Sequence, residues 1–404
     1  MDFVGFIIGK TIVDCFWAMF IMLPVSLPAI MLVVAHHLFR RHNLIRLIYS
    51  EQHVFLEVKL PRELNKSPRA MELALAAFYQ TSQGNWYTKY FKGRHHRWYS
   101  LEIISLEGSI HFVLWVTVRH RNLIESHFYA QYPDIEIREV EDYTLDVDYL
   151  SNTDAWSLYG IENCLANPAC MPIKTYVDFG LDKDPKEEFK NDPMLGLLES
   201  FGNIGKGEYL WTQILLRACL DQPALKKQAE EEVKKYVKKE KKVSGSDLFK
   251  TIMDKPTPGE TMIAEAIEMK MMKMMFDVYI RHIYVARKEV FNTQSKYLVF
   301  NALRVYNNPQ GNSFGIAVEN DAKSPVHFEG GWYPREWRIP KIARQMFDAY
   351  RHRSCFYPPY IRTSMQMNVE EIATLFHFPG RVSETPTLGR IESKRGEPPV
   401  NLPV

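Results

Sequence analysis

Apolar and polar positions alternate from residue 54 to 60, with Leu56, Val58 and Leu60 on one face and Phe55, Glu57 and Lys59 on the other. That two-residue period predicts a half-buried strand. The pattern then changes to a helical one over residues 67–81, where Ser67 can cap the first turn and Pro68 suits it. Strands follow at 98–105 and 110–118, separated by Glu107-Gly108, then a helix at 122–131 ended by Pro133, and a strand at 135–140. The order is β-α-β-β-α-β, the ferredoxin-like pattern.

A second, less regular run repeats it. Strands are expected at 172–179, 208–218, 276–286 and 313–318, with helices at 194–203 and 289–305. Between the second and third of these strands lies a charged helical insertion at 221–260. Residues 262–275 hold six methionines, from Met262 to Met275, and are read as a core-packing helix, with an adaptable partner surface as the competing account.

Ahead of the first strand, residues 15–35 carry no charge. Twenty-one helical residues reach about 30 Å, the hydrocarbon thickness of a bilayer. Pro24 and Pro28 would bend such a helix. The flank after it is basic, with Arg40, Arg41 and Arg46, which by the positive-inside rule predicts a single-pass anchor in an inner membrane and a body in the cytoplasm. The expected division is an anchor and basic flank at 1–48, ferredoxin-like domains at 49–145 and 146–330, and a helical or extended linker at 331–404. The fold class is α+β: a transmembrane helix, two ferredoxin-like domains and an extended C-terminal linker.

Composition adds little. The chain has 404 residues, 46% hydrophobic and 24% charged, with a net charge of +2, as an ordinary globular protein would. Five cysteines without metal-like pairing fit free thiols in a reducing compartment.

The sequence shows no catalytic signature. A phosphate-binding loop needs GxxxxGK[ST] so that backbone N–H groups and a Lys surround the phosphates. The nearest string, Gly202-Asn-Ile-Gly-Lys-Gly207, has the wrong spacing and lacks the Ser or Thr, and reads as a turn. His95-His96 lies in a basic loop without further metal ligands at suitable spacing. Glu370 and Glu371 follow Asn368 as residues of a helix's first turn, and His377 reads as a helix-terminal packing residue. The expectation is a chain without enzymatic activity, metal or cofactor.

Residues 226–242 alternate Lys and Glu blocks, placing Glu230 near Lys234 and Glu231 near Lys235 on a helix. A solvated hairpin is one reading. The other is sequence-independent contact of Lys234, Lys235, Lys238, Lys239, Lys241 and Lys242 with phosphates of DNA or lipid.

The run Asn368-Val-Glu-Glu-Ile-Ala-Thr-Leu-Phe-His-Phe-Pro379, with Thr385–Lys394 and Pro398–Pro403, resembles the lead-in segment of conjugation-type, HerA/FtsK-like DNA-translocating ATPases. Phe128-Tyr-Ala-Gln-Tyr-Pro-Asp134, Glu139–Tyr143 and Gly207–Ile214 resemble their accessory domains. The resemblance implies an accessory or scaffold subunit of a type IV secretion-like or conjugative complex, anchored to the membrane bilayer. It would dock a separate motor ATPase through a tail holding His377, Phe378, Arg390, Lys394 and Arg395. A homo-oligomer and DNA remain open as partners. The alternatives are a non-specific nucleic-acid-binding membrane protein and a fragment separated from its own ATPase domain.

Overall fold

A computed structural model describes residues 2–61, 64, 66–81, 85, 87–88, 95–152, 154–182, 192–237, 256–319, 335–380 and 390–391. Two compact units divide the chain: residues 1–52 with 82–96, and residues 53–81 with 97–404.

In the first unit, α1 runs Asp2–Ser50, with Pro24 and Pro28 inside it. It continues unbroken through Lys10, Asp14, Arg40, Arg41 and Arg46, so the apolar run is one stretch of a much longer helix. Among the described residues, no helix is long and apolar enough to cross a membrane. The expected transmembrane anchor, the inner-membrane location and the role of Arg40, Arg41 and Arg46 as a membrane flank are corrected accordingly.

The second unit is built on β1 (His53–Pro61), α2 (Pro68–Leu75), β2 (Tyr99–Leu106), β3 (Ser109–Thr117), α3 (Arg121–Gln131) and β4 (Glu136–Val140). These are followed by β5 (Trp156–Leu165), α4 (Pro193–Gly202), β6 (Glu208–Ala218), α5 (Gln222–Val237), α6 (Pro258–Met271) and β7 (Met275–Arg287). The remainder is α7 (Lys296–Asn301), β8 (Phe314–Glu319), α8 (Arg335–Arg351), β9 (Met365–Asn368), α9 (Val369–Leu375) and β10 (Arg390–Ile391).

The expected pair of separate ferredoxin-like domains is corrected to one continuous antiparallel sheet of nine strands. Each half lays its strands in the order last, first, third, second, and the halves meet through β2 and β6. Eight residue pairs, from Tyr99 with Leu216 to Leu106 with Tyr209, register this junction. Both strands are apolar and buried along most of their length. As edges of independent domains they would present unpaired backbone groups; pairing satisfies them. The short β9 adds to β7, and β10 runs parallel to the end of β1.

The two faces are covered differently. One carries the main core, in which Leu56, Leu101, Phe112, Leu114, Ile214 and Ile280 of the sheet meet buried residues of α2, α3, α4, α7 and α9. The other is covered by α8 and residues 143–150: Ala343, Phe347, Tyr350, Tyr143, Val147 and Tyr149 pack on Ile104, Val113, Trp211, Ile283 and Val285. The expected extended linker is therefore corrected as well, since much of residues 335–378 is helical or buried core.

Two elements depart from the periodicity. Residues 172–179 form no strand, being irregular to 175 and a turn from 176, and the first strand of the second half is β5, whose alternation is interrupted by Gly160 and the buried polar pair Glu162 and Asn163. The helix expected over 289–305 is broken into 3-10 turns at Thr293–Ser295 and Arg304–Tyr306 around α7. Asn292 is responsible at the start, because its side chain accepts from the Gln294 amide and competes with helical bonding.

Candidate functional site

Residues 365–378 are woven into the body. Met365–Asn368 pair with Val278–Met275 of β7. Asn368 then caps α9: its side chain accepts from the Glu371 amide at 2.8 Å, and Glu371 accepts from the Asn368 amide at 2.9 Å, a complete capping box. Glu371 is completely buried, and Lys270 of α6 meets its carboxylate at 2.9 Å, with both side chains at most 1% exposed. The Ile173 amide donates to the same carboxylate at 3.0 Å, and Lys270 also donates to the Met171 carbonyl. Thus one carboxylate joins α9, α6 and the 171–173 turn. Nearer the surface, Lys273 bonds Glu72 of α2 and Glu370 of α9.

His377 closes the segment. Its Nε2 donates to Asp192 Oδ2 at 3.0 Å, and its Nδ1 faces the carbonyls of Ala373 and Thr374 at 3.0 and 3.2 Å. Acceptors face both ring nitrogens, an arrangement that favours the doubly protonated ring. Burial opposes that charge, but Asp192 and the two carbonyls outweigh it and raise the His377 pKa. Burial likewise opposes the Asp192 charge, and His377 with the Met194 amide holds its pKa below the usual carboxylate range. Asp192 also caps α4 through the Met194 amide. Phe378 follows, its ring against Phe112, Phe128 and Tyr132 at centroid distances of 5.4, 6.2 and 5.1 Å. His377 and Phe378, expected in a motor-docking tail, are interior residues. Arg390 lies in β10 beside Leu60. Lys394 and Arg395 lie outside the described residues.

A second buried charge cluster sits on the opposite sheet face. Arg353, 1% exposed, bonds Glu102 of β2 at 3.1 and 3.2 Å and Asp142 at 2.7 and 3.1 Å. Glu102 further accepts from Ser100, Tyr143 and Gln213 at 2.8, 2.9 and 2.7 Å. Arg353 sits at the end of α8 with a φ of 49°, the left-handed conformation in which glycine is usual. Its amide bonds to Tyr350 and the next amide to Ala349, closing the helix. No motif in the sequence marks Arg353, Glu102 and Asp142, because they come from distant segments. Only Glu102, a charge inside an otherwise apolar strand, gave a signal.

The hairpin helices complete the set. Lys234 and Lys235 are exposed on α5. Lys235 bonds Glu232 at 2.6 Å, one turn position away from the expected Glu231. Lys238, Lys239, Lys241 and Lys242 lie outside the described residues. The expected core-packing helix is also revised: Met262, Met269 and Met272 are exposed, whereas Ala264, Ile267 and Lys270 are buried. The Gly202–Gly207 string forms the turn into β6, with Gly207 at a φ of 77°.

Among the described residues, no cluster of His, Cys, Asp and Glu could hold a metal ion. The buried His282 donates or accepts at Thr212 through Nδ1, and burial pushes its pKa down to about 3. These groups tie elements together and hold residues 365–378 in one position. A family model described as a domain of unknown function (DUF8128) matches residues 49–390. No curated protein matches the chain.

Proposed function

The chain belongs to the family of the domain of unknown function DUF8128, and from its own residues and geometry we propose that it is an accessory scaffold for a DNA-translocating motor ATPase of the HerA/FtsK-like kind. Its task is to hold its own lead-in-like segment, residues 368–379, in a fixed place and register for a separate motor. The observation that carries this reading is the locking of residues 365–378 by two buried ion pairs, Lys270 with Glu371 and His377 with Asp192. A passive linker has no need of buried charge, which is costly unless paired in good geometry. The resemblance of this same segment to the lead-in of conjugation-type ATPases supplies the identity of the motor.

The test is co-elution in size-exclusion chromatography with a purified HerA/FtsK-like ATPase from the same organism, with ATP turnover followed on DNA. Co-elution and altered turnover are expected. A pair that elutes separately, with turnover unchanged by this chain, overturns the proposal.

A further inference from the structure

Helices α5 and α6 pack on each other through Ala229, Val233, Tyr236, Ile263, Ile267 and Met271. Their outer faces have different chemistry. At 100° per residue, Glu268, Met272, Glu265, Met269 and Met262 fall within about 120° of the α6 circumference. Met262, Met269 and Met272 are 63, 62 and 82% exposed. Glu265 and Glu268 are exposed beside them, with no ion-pair partner among the described residues. On α5 the exposed face presents Lys226, Lys227 and Lys234, also without an ion-pair partner among the described residues, interspersed with Glu230 and Glu231.

Three adjacent methionines in water leave unburied apolar surface of a kind that moulds to a partner. Their rim is acidic, so a partner must bring cations. This chain carries such cations, Lys226, Lys227 and Lys234, on the exposed side of α5, the helix packed against α6. We infer that the α5–α6 hairpin is a self-association surface: the Met262–Met269–Met272 face of one copy seats against the Lys226–Lys227–Lys234 face of a second, and a two-fold axis repeats the contact. An isologous pairing of this kind needs the two complementary patches on one molecule, as found here. Opposed charges at the rim set the register, and the methionines supply the dry centre.

Charge exchange in the full chain tests this. Two differently tagged preparations are mixed and captured through one tag. The wild type captures itself. Glu265→Lys with Glu268→Lys, and separately Lys227→Glu with Lys234→Glu, each lower self-capture at least about tenfold, equivalent to about 1.4 kcal/mol. Mixing the two double variants restores capture, because each then meets its complement; this recovery also shows that both are folded. Met269→Lys, at the centre of the patch, lowers capture with no complement to restore it. The inference is overturned if the wild type sediments as a monomer, if both double variants still capture themselves, or if their mixture does not recover. Capture abolished by nuclease would assign the lysines to nucleic acid and overturn it equally.

Discussion

At the residue scale, Arg353 and His377 show how this interior holds charge. Arg353 tolerates a left-handed backbone because its guanidinium serves two carboxylates at once. Removing one partner from a buried ion pair costs about 3–5 kcal/mol, since the remaining charge is stranded. Arg353→Met should therefore lower stability by about that amount in urea unfolding. Arg353→Gly should lose somewhat less, because glycine relieves the backbone. Equal stability of Arg353→Met and wild type would contradict this account. His377 makes a pH prediction. Its pKa is raised, so its contribution is fully present below the unfolded value of about 6.5 and is lost as pH rises through the folded value. The Asp192 pKa is lowered, so its contribution is present above about 3.9 and is lost as pH falls through its folded value. The pair thus stabilises most between these limits, from about pH 4 to 6.5. His377→Gln should flatten the stability profile on the alkaline side of that window, measured as midpoint against pH by denaturant titration. An unchanged slope would place the linkage elsewhere.

At the level of elements, α9 is held by its cap and by Lys270. Lys270→Met alone leaves Glu371 buried without its cation and should cost about 3–5 kcal/mol. Lys270→Met combined with Glu371→Gln should recover much of that loss, because the amide still caps the Asn368 amide and carries no charge. If the double variant is no more stable than the single one, the ion pair is not what holds α9. Much at this scale was legible in the sequence. The strand at Glu208–Ala218 and the capping of α2 by Ser67 follow directly from alternation and cap chemistry. What resisted reading were the places where long-range partners decide. β5 carries Glu162 inside a buried strand because Tyr279 and Arg362 meet it there. The methionines of α6 looked like core by type, yet whether a helix face is covered depends on which elements return to it. Lys270, which reads as a solvated residue, is instead the buried partner of Glu371.

For the molecule as a whole, the joining of β2 to β6 changes what counts as a folding unit. Each half has its own strands and helices, which is why the order of elements could be read along the chain. That the halves share one sheet was not readable, because buried apolar strands look the same at a domain edge and at a sheet centre. Residues 53–145 produced alone would expose the β2 ladder and its apolar faces, and should associate or aggregate. The intact second unit should unfold in a single transition, seen coincidently by tryptophan fluorescence and far-ultraviolet circular dichroism. Two resolved transitions would mean that the halves are stable separately.

The C-terminal segment touches strands of both halves: β9 lies along β7, and β10 lies along β1. A tug at residue 391 would therefore be borne first by the short ladder on β1 and then, once that has peeled away, by the ion pairs of His377 and Glu371 and by β9 behind them. The chain would behave as a tether with a weak outer stitch and a strong inner knot. Optical-trap extension from residue 391 should record a small early rupture well before the main one, and a single rupture at high load would contradict that sequence of events.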